Sequence, residues 1–203
     1  MALIDVPPEL VQRARELTTG PRRLLGVTGA PGAGKSTLAA ALVAALGPDR
    51  AVLAPMDGYH LADAELVRTG RRDRKGAPDT FDRDGFAAAL RRLREESGTV
   101  YLPEFHRDIE DSIAQAIAVP ADVPLVVVEG NYLLVWEQTR ALLDECWYVD
   151  PPEDLRLQRL TDRHAHFGKT GPEARAWATG PDQRNAEIVA ASRRFADRIV
   201  PGA

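Results

Sequence analysis

Cysteine is almost missing from this chain of 203 residues: Cys146 stands alone. That excludes an intrachain disulfide framework and a cysteine-built metal cage, and it suits a reducing compartment. Lysine is nearly as scarce, present only as Lys35, Lys75 and Lys169, so arginine carries most of the positive charge. No apolar run approaches the ~20 residues that a membrane-spanning helix needs; the longest runs from Leu38 to Leu46. Neither charge sign dominates, with 26 Lys and Arg against 30 Asp and Glu and a net charge of −4. That balance argues against nucleic acid or an anionic membrane as the main partner. Internal repeats and low-complexity tracts are also lacking. The stretch Met1 to Leu10 already carries Asp5, Pro7, Pro8 and Glu9, which reads as no secretory signal. What remains is ordinary globular composition, 44% hydrophobic and 28% charged, in a chain long enough for one core. Residues 1–203 are expected to form a single cytoplasmic domain.

Short apolar runs alternate with longer helical patterns. Leu24 to Thr28, Ala51 to Ala54, Val100 to Leu102, Leu125 to Val128 and Cys146 to Val149 read as strands. Val126, Val127 and Val128 are consecutive, as in a parallel strand covered on both faces. Helical spacing appears over Pro8 to Leu17, Lys35 to Leu46, Gly85 to Glu96, Trp136 to Leu143, Glu153 to Phe167 and Asp182 to Ala196. The alternation predicts an α/β fold in three layers, a mainly parallel central sheet flanked by helices. Two stretches stand outside it. Arg68 to Thr80, with five basic residues and no apolar period, reads as an exposed functional loop. Gly168 to Gly180 reads as a mobile helical flap.

The strongest motif is Gly29-Ala30-Pro31-Gly32-Ala33-Gly34-Lys35-Ser36, an unbroken G-x-x-x-x-G-K-[ST] between an apolar strand and a helix. Its glycines let successive N–H groups turn inward around a polyphosphate, and the helix start adds its dipole to the same anion. Lys35 would reach the outer phosphates, Ser36 would ligate Mg²⁺, and Thr37 follows on the same turn. A nucleoside triphosphate is the implied ligand.

Asp57 follows the second strand, at the edge where ligands bind in open α/β sheets. It could be a general base, a metal-shell ligand or a helix cap. Glu129 directly follows a buried strand, where a second acidic group would organise Mg²⁺. Arg156, Arg159 and Arg163 fall on one helical stripe. They are either a solvated face or part of a lid, spanning about 156–180, that spreads the charge of a transferring phosphate.

These residues, in this order, resemble the kinase group of phosphoribulokinase, uridine kinase and type I pantothenate kinase. Asp57-Gly58-Tyr59-His60-Leu61 and Arg74-Lys75-Gly76-Ala77-Pro78-Asp79-Thr80-Phe81-Asp82 resemble pantothenate kinase in particular. Glu129-Gly130-Asn131-Tyr132-Leu133-Leu134, Arg163-His164 and Phe167-Gly168-Lys169 are similar to small bacterial nucleoside/nucleotide kinases and fructose-transport-system kinases. The resemblance implies the P-loop kinase fold, with ATP and Mg²⁺ bound by Gly29 to Thr37 and Glu129. It implies Asp57 as base, Lys35, Arg159 and Arg163 on the phosphates, and Tyr59, His60, Lys75, Asp82, His106 and Asn131 near the acceptor. The chain departs from pantothenate kinase at Pro103-Glu104-Phe105-His106-Arg107-Asp108, and from uridine kinases at Asp57-Gly58-Tyr59-His60.

The four histidines show no zinc-ligand spacing, so no structural metal is expected. Cys146, Trp136 and Trp147 read as core residues, and Trp177 as a lid anchor. The leading expectation is an ATP-dependent kinase acting on a hydroxyl of a small metabolite: a nucleoside, a pantothenate-like compound or a sugar. The alternative is a nucleotide-switch or assembly ATPase acting on a protein partner. Monomer and homodimer are equally compatible with the sequence.

Overall fold

In the computed structural model, which describes residues 6–202, five parallel strands form the central sheet. They are β1 (Arg23–Thr28), β2 (Ala51–Pro55), β5 (Leu125–Glu129), β6 (Glu145–Val149) and β7 (Arg198–Val200), in the order β2-β5-β1-β6-β7. β3 (Val100–His106) and β4 (Asp111–Val119) form a separate antiparallel hairpin. The helices are α1 (Pro8–Leu17), α2 (Lys35–Leu46), α3 (Asp63–Arg68), α4 (Arg83–Glu95), α5 (Glu137–Arg140), α6 (Glu153–His166), α7 (Gly171–Thr179) and α8 (Pro181–Ser192).

The valine run of β5 is buried along its whole length because helices cover both faces. On one side, Leu25, Val27, Val127, Trp147 and Val149 pack against α1 and α2. On the other, Leu24, Val126, Val128, Cys146 and Tyr148 meet α4, Trp136 and Val189 of α8. This is the three-layer α/β architecture expected. Burial drives the Cys146 thiol far above its ordinary range, so it is an inert core group. Among the described residues, no helix is long and apolar enough to cross a membrane. Residues 1–5 of the leading stretch, with Asp5, lie outside the described residues.

Three features depart from the sequence expectation. Val100 to Leu102 is not a member of the central sheet but the start of the hairpin, whose second strand is mostly exposed although Ile113, Ile117, Val119 and three alanines make it apolar in sequence. Pro103 cannot donate a backbone hydrogen bond, and the pairing register shifts between Leu102 and Glu104. β7 is only three residues long and pairs β6 from Trp147 to Val149. The loop from Arg68 to Thr80 is also more ordered than its composition suggests. It holds two short 3₁₀ turns, Arg72–Arg74 and Pro78–Thr80.

Register aligns the site. Pro55 of β2 pairs Glu129 of β5, which pairs Val27 of β1. The three strands therefore end at one level, with Asp57, Glu129 and the glycine-rich loop just beyond.

Candidate active site

The glycine-rich loop runs from Thr28 into α2 and packs against α6. Gly32 has φ +82, a left-handed conformation that other residues adopt at a cost. A Cβ there would also lie 2.7 Å from the Arg156 carbonyl oxygen and from Leu160 Cγ. The helix α6 and the loop are thus in direct contact.

Lys35 opens α2, only 7% exposed, with Nζ 3.1 Å from the Ala30 carbonyl oxygen. Burial lowers its pKa, and the carboxylates of Glu129 and Asp57 oppose that shift. Glu129, 6% exposed, has its pKa raised to about 7, first by desolvation; Lys35 and a hydrogen bond from Ser36 pull the other way. Ser36 and Thr37 are exposed on the first turn of α2. A serine hydroxyl near a carboxylate is an all-oxygen donor pair, which fits Mg²⁺ held by few protein ligands plus substrate phosphates.

The raised Glu129 value has a testable sign. Its folded pKa lies above its ordinary one, so its stabilising contribution is full below about pH 4.5 and is lost as pH rises through about 7. Glu129→Gln removes that loss. In metal-free protein, the melting temperature of the parent should fall more steeply than the variant's as pH rises from about 4.5 to 8. Parallel melting curves for parent and variant across that range would show that Glu129 is not buried as an acid.

Asp57 lies in the 3₁₀ turn Met56–Tyr59, which no side-chain cap closes. The cap alternative therefore finds no bond. Its Oδ2 instead faces Arg107 Nη2 at 3.3 Å. Arg107 sits at the tip of the β3–β4 hairpin, which packs so tightly on the turn that a Cβ at Gly58 would collide with the Pro103 carbonyl. Sequence reasoning did not single out Arg107, because its partner is 50 residues away.

The arginine stripe divides into three roles. Arg156 is buried at 3% exposure: Nη1 donates to the Pro31 carbonyl at 3.2 Å, and Nη2 reaches Gln183 and Glu153. It braces the loop through Pro31. Arg156→Ala should cost about 1.5–3 kcal/mol, the range for a buried charged hydrogen bond, read as a lowered urea midpoint. An unchanged midpoint would refute the brace. Arg159 stands over Gly34, its Nη1 3.4 Å from where a Cβ would be. Arg163 lies in the field of Asp57, Glu129 and Lys35, with its pKa lowered chiefly by burial. Further along α6, His164 pairs with Asp182 of α8 at 2.6 Å, and beyond the helix Lys169 lies 4.7 Å over the Trp177 ring.

The residues implied near the acceptor separate similarly. His60 is wedged between Phe81 and Phe105, with Nδ1 2.9 Å from the Asp57 carbonyl oxygen. Burial lowers its pKa, favouring the neutral ring. Tyr59 packs on Phe86, and burial raises its phenol to about 12. Lys75 is held by Asp63 at 2.7 Å and by the Glu110 carbonyl at 2.6 Å. Asp82 is exposed and caps α4 by accepting from the Gly85 amide at 2.9 Å. His106 lies 3.4 Å from Glu104 on the hairpin. Asn131 accepts from the Thr28 hydroxyl through its backbone carbonyl. Beside it, Tyr132 donates to the Gly76 carbonyl at 2.6 Å, tying the basic loop to the strand edge.

Comparison with known proteins places the chain among kinases. The sequence profile described as "Phosphoribulokinase / Uridine kinase family" matches residues 24–169. An ATP-dependent kinase-like protein of Aspergillus versicolor is 33% identical over 163 residues, covering 72% of this chain and 94% of that one. A candidate uridine kinase of Schizosaccharomyces pombe is 33% identical over 196 residues, covering 87% and 83%. The crystal structure of a candidate fructose transport system kinase from Silicibacter sp. TM1040 is 36% identical, with a TM-score of 0.87 and coverage of 95% and 98%.

Proposed function

The chain belongs to the phosphoribulokinase/uridine kinase family, and from that premise we propose that it transfers the γ-phosphoryl group of ATP to a hydroxyl of a small metabolite. A P-loop kinase is a phosphotransferase, so the finer matter is what accepts the phosphate. The observation that carries this reading is the convergence of Asp57, Lys35, Glu129 and Arg163 at one sheet edge, each within the electrostatic field of the others. One carboxylate there is open to solvent and the other is buried beside the lysine.

Residues 29–37 would hold the triphosphate through backbone N–H groups and the start of α2. Lys35 would exchange the Ala30 carbonyl for phosphate oxygens. Ser36 and Glu129 are the donors suited to Mg²⁺, which when bound neutralises phosphate charge. Asp57 orients the acceptor hydroxyl and takes its proton. The acceptor oxygen then bonds the γ-phosphorus as the bond to the bridging oxygen breaks, and ADP departs with that electron pair. Arg159 and Arg163 balance the charge on the equatorial oxygens and help exclude water. Positioning and charge, rather than covalent catalysis, account for the chemistry.

The acceptor classes weighed are nucleosides, pantothenate-like compounds and sugars. ADP formation should depend on a small hydroxyl compound and yield its phosphate ester. ATP consumption stimulated only by a protein partner, with no ester formed, would favour the switch-ATPase alternative.

A further inference from the structure

We propose that Arg107 recognises the acceptor, and that the acceptor carries an anionic group, a carboxylate or a phosphate, beside the hydroxyl that reacts. The inference rests on the kinase reading above and narrows it by charge class.

Arg107 Nη2 lies 3.3 Å from Asp57 Oδ2, in a pair whose side chains are 45% and 31% exposed. Pairs this open to water contribute little net stability, so exchanging one partner costs little. The contact uses one of the five donors of the guanidinium fork. A fork of that geometry suits the two oxygens of a carboxylate or phosphate.

The other cations nearby have different work. Lys75 is 9% exposed and bound to Asp63 and Glu110. Lys35 and Arg163 come from the phosphate loop and the lid. Arg107 also lies in the field of Lys35, Glu129 and Arg163, but its ion-pair partner is Asp57, the base of the proposed reaction. The hairpin tip that carries it is tied to the basic loop, because Lys75 donates to the Glu110 carbonyl three residues further along.

That pairing has a chemical consequence. While Arg107 holds Asp57 Oδ2, that oxygen is engaged and is not open to an acceptor hydroxyl. A neutral acceptor gives Arg107 nothing to exchange for Asp57. An anionic acceptor draws the fork onto its own charge, which frees Asp57 and fixes the hydroxyl beside it. The rival role for Arg107, contact with the transferring phosphoryl group, would act on every acceptor alike.

Charge-matched pairs separate these roles: D-glycerate against glycerol, and ribose 5-phosphate against ribose. Binding is measured by calorimetry with Mg²⁺ and a non-hydrolysable ATP analogue, and turnover by ADP release with ATP. At least one anionic member should bind more tightly than its neutral counterpart. Arg107→Gln should weaken that binding about 10–100-fold and raise the acceptor KM to match, with the ATP KM and melting temperature unchanged. Equal binding across both pairs, or no binding by any member, would overturn the proposal. So would a variant whose kcat falls equally for all acceptors at unchanged KM. Anionic acceptors that bind through Arg107 but receive no phosphate would sink the kinase reading and leave the recognition role standing.

Discussion

Asp57→Asn should slow phosphoryl transfer by about 10²–10⁴-fold, the usual contribution of a positioned general base. Asparagine keeps the side-chain shape and loses the charge that accepts a proton. Binding of ATP with Mg²⁺ should survive, because Lys35, Ser36 and Glu129 are unchanged, so the loss should fall on kcat rather than on the nucleotide KM. Stability should change little, since the residue makes no cap bond and its contact to Arg107 is solvent-exposed. Rates within tenfold of the parent at saturating acceptor would remove Asp57 from the mechanism. His60, whose Nδ1 already engages the Asp57 carbonyl oxygen, would then be the next base to test.

The second large effect is at Lys35. Lys35→Ala should reduce turnover by about 10²–10³-fold, the scale seen when one preorganised charge or donor is removed from a transition state. It should also raise the ATP KM, because the same ammonium reaches the phosphates in the ground state. Fold stability presents an opposing pair of terms. The buried ammonium is held at a desolvation cost, which truncation relieves, yet Glu129 loses its compensating charge. These terms should nearly cancel, leaving the melting temperature within about 2–4 °C, equivalent to about 1 kcal/mol for a chain of this size. Full turnover in a variant this stable would remove the phosphate role of Lys35. A collapse of stability would instead mean that Lys35 is a structural residue.

Much of the frame of this molecule was legible because it is written locally. α2 begins at Lys35 and ends at Leu46, as the loop motif before it and Gly47-Pro48 after it dictate. α1 likewise spans Pro8–Leu17, where an apolar stripe is bounded by proline and polar residues. Consecutive valines marked β5 as a strand covered on both faces. The hairpin was legible only in its first three residues. β4 is mostly exposed and mixes alanines with Ile113, Gln115 and Ile117, so its pattern does not alternate apolar with polar as a half-buried strand does.

The site divides along the same line. Lys35, Ser36, Asp57 and Glu129 sit at predictable offsets from strand ends, and the parallel register carries them to one level. Arg107 has no such offset; it arrives from a hairpin that folds back on Gly58. The three arginines of α6 share one helical stripe, yet each meets different neighbours in space. That is why Arg156 braces Pro31 while Arg163 faces the carboxylates. Asp82 had a local signal of its own, an aspartate three residues before Gly85 at a helix start, where capping outranks ligand binding.

The fate of the phosphoryl group is open to direct measurement by mass spectrometry, using ATP labelled with heavy oxygen at the γ position and an acceptor that supports ADP formation. Transfer through Asp57 places the labelled phosphate on the acceptor as a monoester, one for each ADP formed, and Asp57→Asn suppresses both products together. Label found only in inorganic phosphate, at a rate indifferent to the acceptor and to Asp57, would contradict a site built to phosphorylate a hydroxyl.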